Sequence, residues 1–217
     1  MIIGLAGKKG AGKDSVARYI YGKVAVKRHF CRYFEVNTNN ELIVNSSVDF
    51  TGLEKYVALF AFADTLRDIV SIIFGIDRND TLVKKDAFTK YKWEDMPTNV
   101  GKSGYMTVRD ILQYFGTDIA RKINNDCWID ATFENINTVK SKLSIITDVR
   151  FVNEVEAIKR AGGKVIKLTR GDVNDTHISE NDLNSYNNFD MICDNRFSSI
   201  VGQGELVWRY LMRWGVV

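Results

Sequence analysis

Mostly apolar runs of four to seven residues recur along the chain, separated by longer polar stretches. Runs of this length, rich in Ile, Val, Leu and Phe, predict parallel strands that are buried on both faces of a sheet. Five such strands are expected, at residues 2–6, 56–62, 143–147, 164–169 and 190–193.

Between these runs, apolar residues recur every three or four positions, which is the spacing of an amphipathic helix. Helices are predicted at residues 15–21, 64–74, 153–161 and 199–214, and a further helix begins at Thr107 with a capping-box pattern. Strands that alternate with helices predict an α/β fold: a doubly wound, five-stranded parallel sheet with right-handed crossovers and helices on both faces.

Two segments interrupt this alternation. Residues 33–36 and 41–44 are predicted as short strands around an Asn-rich turn, which gives a small hairpin insertion at about residues 30–55. Residues 90–104 contain the single proline, Pro97, among charged residues, Asn and Gly. They are expected to form a loop, and ordering of this loop on substrate binding is an open alternative.

The first predicted strand runs directly into a glycine-rich loop. Residues 7–14, Gly-Lys-Lys-Gly-Ala-Gly-Lys-Asp, fit the phosphate-loop pattern G-x-x-x-x-G-K, and a predicted helix follows them. Glycines let backbone N–H groups curl around a phosphate, and the helix N-terminus adds positive potential at the same place. Lys13 can reach the outer phosphates of a nucleotide as a point charge. The sequence therefore predicts a single P-loop domain over residues 1–217.

Asp14 departs from the usual pattern, which has Ser or Thr at this position as a ligand of Mg²⁺. A carboxylate beside a polyphosphate repels it unless Mg²⁺ or a water lies between them. The alternative is that Asp14 is only a first-turn acid that suits the helix dipole. Ser15 lies one position late and is not assigned the Mg²⁺ role.

Polar residues also follow the later predicted strands, where the binding sites of open parallel sheets gather. Asp148 can hold Mg²⁺ or contact the substrate, and Arg150 can hold a phosphoryl group; the alternative is a capping Asp with a surface Arg. Arg170 begins a polar stretch that suits a lid over phosphates, at about residues 170–185. His177, in the same stretch, is expected to pack in the loop rather than to act in catalysis.

The helix that begins at Thr107 carries a second polar set. Arg109, Gln113 and Gly116 are spaced at i, i+4 and i+7, which places them in one stripe of an α-helix. A guanidinium, an amide and a glycine in line can grip a phosphate and a base edge. The alternative is a solvated helix face. Arg67 lies in the first turn of an earlier helix, close to the expected end of the second strand.

Composition limits what the protein can be. With 217 residues, 45% of them hydrophobic and 26% charged, the chain suits one globular α/β domain. Its net charge of +3 is compatible with anionic substrates but too weak to indicate nucleic-acid binding. Three scattered cysteines argue against a disulfide framework and for a reducing compartment. With only two histidines, a structural zinc site is not expected.

The chain shows no targeting pattern. No signal peptide opens it, and no apolar stretch approaches the roughly 18 residues of a membrane span. We therefore expect a cytoplasmic protein that binds neither nucleic acid nor membrane.

Several of these segments match one known family. They resemble the bacteriophage-type deoxynucleoside monophosphate kinases, a branch of the P-loop kinases that shares the Asp at position 14. The resemblance spans most of the chain and is weakest at residues 22–56 and 77–104. The matching stretches are Gly12-Lys13-Asp14, Arg109 with Leu112-Gln113, Phe115-Gly116-Thr117-Asp118, Trp128, Thr147-Asp148-Val149-Arg150 with Glu154, and Asp175-Thr176-His177-Ile178.

The resemblance implies a kinase that uses Mg²⁺ to transfer the γ-phosphoryl group of ATP to a deoxynucleoside 5′-monophosphate. If the chain is phage-encoded, its expected location is the cytoplasm of the host. The ATP-binding residues it implies are Lys8, Lys9, Gly10, Ala11, Gly12, Lys13, Asp14 and Ser15. The acceptor-binding residues it implies are Arg67, Arg109, Gln113, Gly116, Thr117, Trp128, Asp148, Arg150 and Glu154. Arg67 is a looser match, because the family can have Lys there.

In the implied mechanism, positioning and charge neutralisation carry the transfer. Lys13 is expected to contact the β- and γ-phosphates, and Mg²⁺ is expected on the bridging oxygens. Arg109 and Arg150 are expected to hold the acceptor phosphate in line, and Arg170 to stabilise the transition state when the lid closes. Trp128 is expected to stack on the base or border it.

Two alternatives remain open. A P-loop kinase for another small phosphorylated acceptor, of the dephospho-coenzyme A kind, is disfavoured by the runs 116–118 and 148–150. A non-catalytic ATP-binding regulator would not need four arginines at predicted strand and helix ends. The sequence does not decide which bases are accepted, or between ribose and deoxyribose. The resemblance also allows a homodimer, with Trp208, Trp214 and the hairpin as candidate interface pieces.

Overall fold

The computed structural model describes residues 1–39, 41–44, 49–96, 101–170, 182–196 and 198–217. The chain divides into two compact units. The first consists of Met1–Ala61 and Phe133–Val217, and the second of Phe62–Thr132. Residues 171–181, which include His177 and most of the expected lid, lie outside the described residues.

The secondary structure alternates as the apolar pattern predicts. A π-helical stretch, Tyr114–Ala120, lies between α4 and α5, and 3₁₀ turns lie at Leu53–Lys55 and Trp93–Asp95. The strands are β1 (Ile2–Ala6), β2 (Phe34–Val36), β3 (Leu42–Val44), β4 (Val57–Phe60), β5 (Phe88–Lys92), β6 (Tyr105–Thr107), β7 (Leu143–Val149), β8 (Lys164–Leu168) and β9 (Met191–Cys193). The α-helices are α1 (Lys13–Lys27), α2 (Ala63–Phe74), α3 (Asp80–Val83), α4 (Val108–Gln113), α5 (Arg121–Ile123), α6 (Cys127–Val139), α7 (Val152–Arg160) and α8 (Ile200–Arg213).

A five-stranded parallel sheet forms the centre of the first unit. Its strand order is β4-β7-β1-β8-β9, and every neighbouring pair runs parallel. These are the five strands that the apolar runs predict, with ends shifted by no more than two residues. β1 pairs with both β7 and β8, so the strand that precedes the phosphate loop lies in the middle of the sheet. The predicted α/β fold is confirmed.

Helices cover both faces of this sheet. Ile3 and Leu5 of β1 are fully buried in one core cluster with Ile20 of α1, and α8 packs against α1 on the same face. Ile158 of α7 lies against Gly4, which points to the opposite face because side chains alternate along a strand. Each buried Ile or Leu side chain contributes about 1.5–3 kcal/mol, and a slip of β1 by one residue would turn Ile3 and Leu5 towards the face on which Gly4 now leaves room for Ile158.

The predicted hairpin insertion is confirmed. β2 and β3 pair antiparallel, with Phe34 opposite Val44. Phe34 packs edge-on against Tyr19 of α1, with 5.2 Å between the ring centroids, so the hairpin is anchored on this helix. Trp208, a candidate interface residue, is only 5% exposed and belongs to the core cluster of the first unit. It therefore packs within the chain and is not a surface residue.

In the second unit, the expectation of a loop over residues 90–104 is wrong in part. β5 extends to Lys92 and pairs antiparallel with β6, and a 3₁₀ turn follows it. Along β5, exposed residues alternate with half-buried ones, so the segment has no apolar run that would predict a strand. Residues 97–100 lie outside the described residues.

The helix starts of the second unit follow the sequence closely. α4 begins with the predicted capping box, in which the Thr107 hydroxyl accepts from the Asp110 N–H at 3.1 Å. The Thr107 N–H donates in return to Asp110 Oδ2 at 2.8 Å. α2 buries Leu66 and Val70, and Gly75 follows it as the C-cap residue. These local signals fix where each helix begins and ends.

Cys31, Cys127 and Cys193 are all free thiols, and burial raises the pKa of each. Within the described ranges, no helix combines the length and the apolar character that a membrane crossing requires.

Candidate active site

Four chain segments leave the parallel sheet at one edge. Ala6 pairs with Val149 across β1 and β7, and with Lys167 across β1 and β8. Leu168 pairs with Cys193 across β8 and β9. Because the strands end in register, the residues that follow them leave the sheet side by side. Gly7 and Arg150 come one residue after their strands, and Arg170 and Asn195 come two residues after theirs.

The strand order reverses at this edge. The chain passes from β1 to the edge strand β4 on one side, and from β7 to β8 on the other side of β1. Ligands of open α/β sheets bind at the carboxyl ends of the strands where the order reverses. The phosphate loop and the segment with Arg150 flank this point, as the sequence predicts.

The phosphate loop forms a wall of a cavity of about 420 Å³ in the first unit. α1 begins in this wall, and its cap residue is Gly12, so no cap side chain competes for the first-turn N–H groups. Such a helix start favours an anionic ligand. The residues that line the cavity are Gly10, Ala11, Gly12, Lys13, Asp14, Ser15, Thr38, Arg170 and Ile200.

Gly12 is required by two independent features. Its φ angle is 90°, in the left-handed region that favours glycine. A Cβ atom at this position would lie 2.9 Å from Gln203 Oε1 and 3.1 Å from Arg170 Nη2. The loop can therefore approach these two side chains only because position 12 has no side chain of its own.

Lys13 is held inside the loop. Its side chain is 7% exposed, and its Nζ donates to the carbonyl oxygens of Gly7 at 2.5 Å and Lys8 at 2.9 Å. These bonds fix a positive charge in the wall of the cavity. Burial also lowers the pKa of the nearby Lys167 ammonium, and the charge of Lys8 lowers it further. Positive charge thus gathers around the loop and favours an anionic ligand.

Asp14 is exposed in the first turn of α1 and lines the cavity, whereas Ser15 is 5% exposed. Among the residues that the structure describes, no group of three or more His, Cys, Asp or Glu side chains could hold a metal ion. Mg²⁺ in kinases is commonly bound by one or two carboxylates together with substrate phosphates and waters. One carboxylate beside a phosphate-binding loop fits that pattern.

Arg170 lies at the loop and not at a distance from it. Its backbone N–H donates to Asn195 Oδ1 at 2.9 Å, and its Nη1 donates to the carbonyl oxygen of Ser198 at 3.3 Å. Its guanidinium lines the phosphate cavity. The sequence predicted Arg170 for the site but gave no signal for Asn195, Ser198 or Gln203, which no motif connects to the loop.

Glu154 supports the segment that carries Arg150. It is 2% exposed, and its Oε2 accepts from the backbone N–H groups of Arg150 at 2.7 Å and Phe151 at 3.1 Å. Asp148 and Arg150 are half-buried at the end of β7. The carboxylate that the resemblance implies for the acceptor therefore fixes the start of α7 and accepts from the backbone N–H of Arg150.

In the second unit, two arginines share a carboxylate at the start of α2. Arg67 Nη1 and Arg78 Nη2 donate to Asp64 Oδ1 at 2.9 Å and 3.2 Å. Arg78 Nε also donates to Asp68 Oδ1 at 2.5 Å, while its Nη1 is buried without a hydrogen-bond partner. Arg67 was predicted, and its side chain is 11% exposed. Arg78 was missed because it lies in a polar stretch without a motif.

Arg109, in the first turn of α4, is paired with Asp86, and its side chain is 24% exposed. The predicted helix start at Thr107 is confirmed, but the α-helix does not extend to Gly116 as the predicted polar stripe requires. α4 ends at Gln113 and the π-helical stretch follows, so α-helical spacing no longer applies. Gly116 is buried, and a Cβ atom there would lie 2.6 Å from Leu66 Cδ2.

Trp128 is bonded to the same stretch. Its Nε1 donates to the carbonyl oxygen of Gly116 at 3.0 Å, and the side chain is 7% exposed. Thr117 and Gln113 are half-buried beside them. π-helical turns occur frequently at functional sites, because they displace backbone groups from the regular ladder. Trp128 therefore supports the backbone at Gly116, and this bond already uses its ring N–H.

Comparison with known proteins gives an independent result. The family model described as deoxynucleotide monophosphate kinase matches residues 36–200, well over half of the chain. The chain is also similar to a protein of Acanthamoeba polyphaga mimivirus named "Putative deoxynucleotide monophosphate kinase", with 26% identity over 210 residues. This alignment covers 90% of the chain and 88% of the viral protein. The family match begins after the phosphate loop, so the loop is a separate observation.

Proposed function

Because the chain belongs to the deoxynucleotide monophosphate kinase family, a family of phosphotransferases, we propose that it transfers the γ-phosphoryl group of ATP to a deoxynucleoside 5′-monophosphate. The products are ADP and a deoxynucleoside diphosphate. The observation that carries this proposal is the family match over residues 36–200 combined with a phosphate loop that lies outside the matched region. The proposal takes residues 1–217 as one kinase domain.

ATP binds at the phosphate loop in this proposal. The cavity of about 420 Å³, the glycine at the start of α1 and the buried ammonium of Lys13 support it. Residues 8–15 provide backbone N–H groups and two further cations, Lys8 and Lys9. A polyphosphate is the ligand that such a helix start and such a charge favour.

Mg²⁺ is part of the proposal, with Asp14 as the protein carboxylate near it. When bound, Mg²⁺ neutralises charge on the phosphates. Asp14 lines the phosphate cavity, and its own exposure leaves its oxygens open to a hydrated ion. Asp148 is the second carboxylate that the sequence predicts for this role or for a substrate contact.

The acceptor is bound by arginines in this proposal. The cations assigned to the acceptor are Arg67, Arg109 and Arg150. Guanidinium groups bind phosphate through paired N–H donors, which fixes the direction of the phosphate as well as its charge. The residues assigned to the base or to the walls around it are Gln113, Gly116, Thr117 and Trp128.

Little covalent chemistry is required of the protein. An oxygen of the acceptor phosphate attacks the γ-phosphorus, and the bond from the γ-phosphorus to the β,γ-bridging oxygen breaks, which leaves ADP. The attacking oxygen is already anionic, so no general base is needed. Lys13 and Arg170 stabilise charge on the transferred group and on the leaving oxygen. Their positions at the loop support these roles.

The experiment that tests this function is a coupled ADP-release assay with Mg·ATP. The acceptors are all common deoxynucleoside and ribonucleoside monophosphates. Turnover is expected with a subset of the deoxynucleotides. Lys13→Ala should lower kcat by a factor of about 10²–10³, because it removes a positive charge at the transferred group. Lys27→Ala, an exposed lysine at the far end of the same helix, is the matched control and should keep full activity. Absence of turnover with every nucleotide, despite measurable ATP binding, would overturn the proposal.

Location and assembly complete the proposal. The three free thiols suit a reducing compartment, and we place the protein in the cytoplasm on that ground.

A homodimer is proposed with the β2–β3 hairpin and the half-buried Trp214 as interface pieces. Light scattering at micromolar concentration tests it, and a monomeric mass would contradict it.

A further inference from the structure

Two buried amide side chains lie behind the phosphate loop. Asn195 follows β9 and Gln203 lies in α8, and both are 0% exposed. They are bonded to each other, because Asn195 Nδ2 donates to Gln203 Oε1 at 2.6 Å. Burial of a polar side chain costs free energy unless the side chain is hydrogen-bonded, so two buried amides at one point in a core indicate a specific role.

Asn195 joins two segments of the site. Its Nδ2 donates to the carbonyl oxygen of Ala11 in the phosphate loop at 2.7 Å, and its Oδ1 accepts from the backbone N–H of Arg170 at 2.9 Å. The orientation of the amide is fixed by these partners, since a backbone N–H can only donate and a carbonyl can only accept. One side chain thus bonds both to the phosphate loop and to Arg170, the residue proposed to stabilise charge in the transition state.

Gln203 is placed by Asn195. Because Asn195 presents a donor, Gln203 must present Oε1 to it, and its Nε2 is left buried without a hydrogen-bond partner. Nε2 lies 3.0 Å from where a Cβ atom of Gly12 would be, and Arg170 Nη2 lies 3.1 Å from the same point. A buried unpaired donor costs roughly 1–3 kcal/mol. The amide of Gln203 carries this cost at Nε2 while its Oε1 completes the hydrogen bonding of Asn195, so its place in the core is tied to that of Asn195.

We infer that Asn195 and Gln203 are positioning residues, which fix the phosphate loop and Arg170 relative to each other. The inference rests on the proposed function, in which Arg170 stabilises charge on the transferred phosphoryl group. Neither amide is reached by solvent, so neither is placed in contact with substrate. Their effect passes through Ala11, Gly12 and Arg170. Displacement of a catalytic group by about 1 Å can cost about 100-fold in rate, which is why such a brace matters.

A double-mutant cycle between Asn195 and Arg170 tests the inference. The variants are Asn195→Ala, Arg170→Ala and the pair, and the measured quantities are kcat/KM, the dissociation constant of a non-hydrolysable ATP analogue and Tm. Asn195→Ala should lower kcat/KM about tenfold in the wild-type background and less than twofold once Arg170 is already alanine. Asn187→Ala, an exposed asparagine of the same unit, is the matched control and should leave all three quantities unchanged.

Gln203→Met provides a second cycle that does not depend on how well Asn195→Ala folds. Methionine keeps the length of the side chain and removes both the unpaired donor and the acceptor of Asn195 Nδ2, while the bond from Asn195 to Ala11 remains. The lost donor and the lost acceptor offset each other in stability, so Tm should stay within a few degrees while kcat/KM falls in the wild-type background only. Equal losses in both Arg170 backgrounds would overturn the inference, because the amides would then act independently of Arg170. An Arg170→Ala variant with the same kcat/KM as the wild type would overturn the inference as well. Failure of the wild-type enzyme to turn over any nucleotide is a separate result, since it removes the proposed function on which the inference rests.

Discussion

Arg109 and Asp86 form a bidentate ion pair in the second unit. Arg109 Nε lies 2.8 Å from Asp86 Oδ1, and Arg109 Nη2 lies 3.3 Å from Asp86 Oδ2. A carboxylate thus presents two oxygens to the guanidinium in the way that a phosphate does. Asp86 therefore occupies the Nε and Nη2 donors of Arg109, and under the proposed function Asp86 and the acceptor phosphate would compete for this one cation.

Asp86→Asn should strengthen acceptor binding. The Asp86 side chain is 76% exposed, and exposed ion pairs contribute about 0.2–1 kcal/mol, so release of Arg109 should lower KM for the deoxynucleotide by up to about fivefold. kcat should change little, because the pair is broken before the chemical step. Steady-state kinetics with the acceptor as the varied substrate measure both constants.

Asp80→Asn is the matched control for this change. Asp80 belongs to the same unit and pairs with Lys84 at 3.0 Å, so its substitution removes a similar charge from an ion pair that no prediction assigns to the site. KM should be unaffected by it. A rise of KM in Asp86→Asn would mean that Asp86 holds Arg109 in its working position and does not compete with the acceptor.

Trp128→Phe should affect every acceptor alike. The Trp128 ring is buried and its N–H is bonded to Gly116, so the substitution leaves that carbonyl without its partner and loosens residues 116–118. We expect a loss of about 1 kcal/mol of folding free energy and a rise of KM by the same factor for each accepted nucleotide. Thermal unfolding and acceptor kinetics measure these effects. A change confined to one base would show that the ring touches the base directly.

Gly12→Ala and Gly52→Ala separate crowding from backbone strain. Both glycines have φ near 90°, but a Cβ atom at Gly12 meets Gln203 and Arg170, whereas one at Gly52 meets nothing within 4 Å. Gly12→Ala should lose about 1–3 kcal/mol of stability and most of its ATP affinity, and Gly52→Ala should lose only the strain energy and keep its activity. Calorimetry with an ATP analogue measures the affinity. Equal losses of affinity in both variants would contradict the crowding argument.

The sheet and the phosphate loop could be predicted because each depends on local sequence. Buried parallel strands need continuous apolar runs, and a phosphate loop needs glycines and a lysine at fixed spacing. β5 lacks such a run, because polar residues separate its two aromatic residues. Its Phe88 is 76% exposed, so burial does not require an apolar run there. The π-helical stretch was missed since its period differs from the 3.6 residues on which the predicted stripe depended.

The partners of the site residues could not be predicted for another reason. Asn195 contacts Ala11 across 184 positions of sequence, and no spacing rule connects an amide to a carbonyl at that separation. Asp86 lies 23 positions from Arg109 in a polar stretch whose fold was not apparent. Motifs identify the residues that touch a ligand, but the groups that hold or block them depend on tertiary structure.

Glu205 gives the first unit a pH dependence at its α1–α8 contact. Its Oε2 accepts from Lys23 Nζ at 3.1 Å and from the Tyr19 hydroxyl at 3.0 Å. Burial raises the pKa of Glu205, but the hydrogen bonds from Lys23 and Tyr19 outweigh it and hold the pKa below its ordinary value. Burial, and then the bond to Glu205, raises the pKa of Tyr19 to about 12.

These shifts have opposite signs for stability. Because folding lowers the pKa of Glu205, its contribution to the free energy of unfolding is complete above its unfolded pKa of about 4.3. This contribution is lost as the pH falls through the folded pKa. Tyr19 contributes below its unfolded pKa of about 10 and loses that contribution as the pH rises towards 12. Glu205→Gln should therefore be less stable than the wild type at pH 7, by less than about 1 kcal/mol because the carboxylate is partly exposed, and the difference should shrink at pH 3. Urea unfolding of the two proteins at both pH values measures it, with the exposed Glu134→Gln as control. A difference that stays constant from pH 7 to pH 3 would show that Glu205 stabilises α1 and α8 by packing and not by its charge.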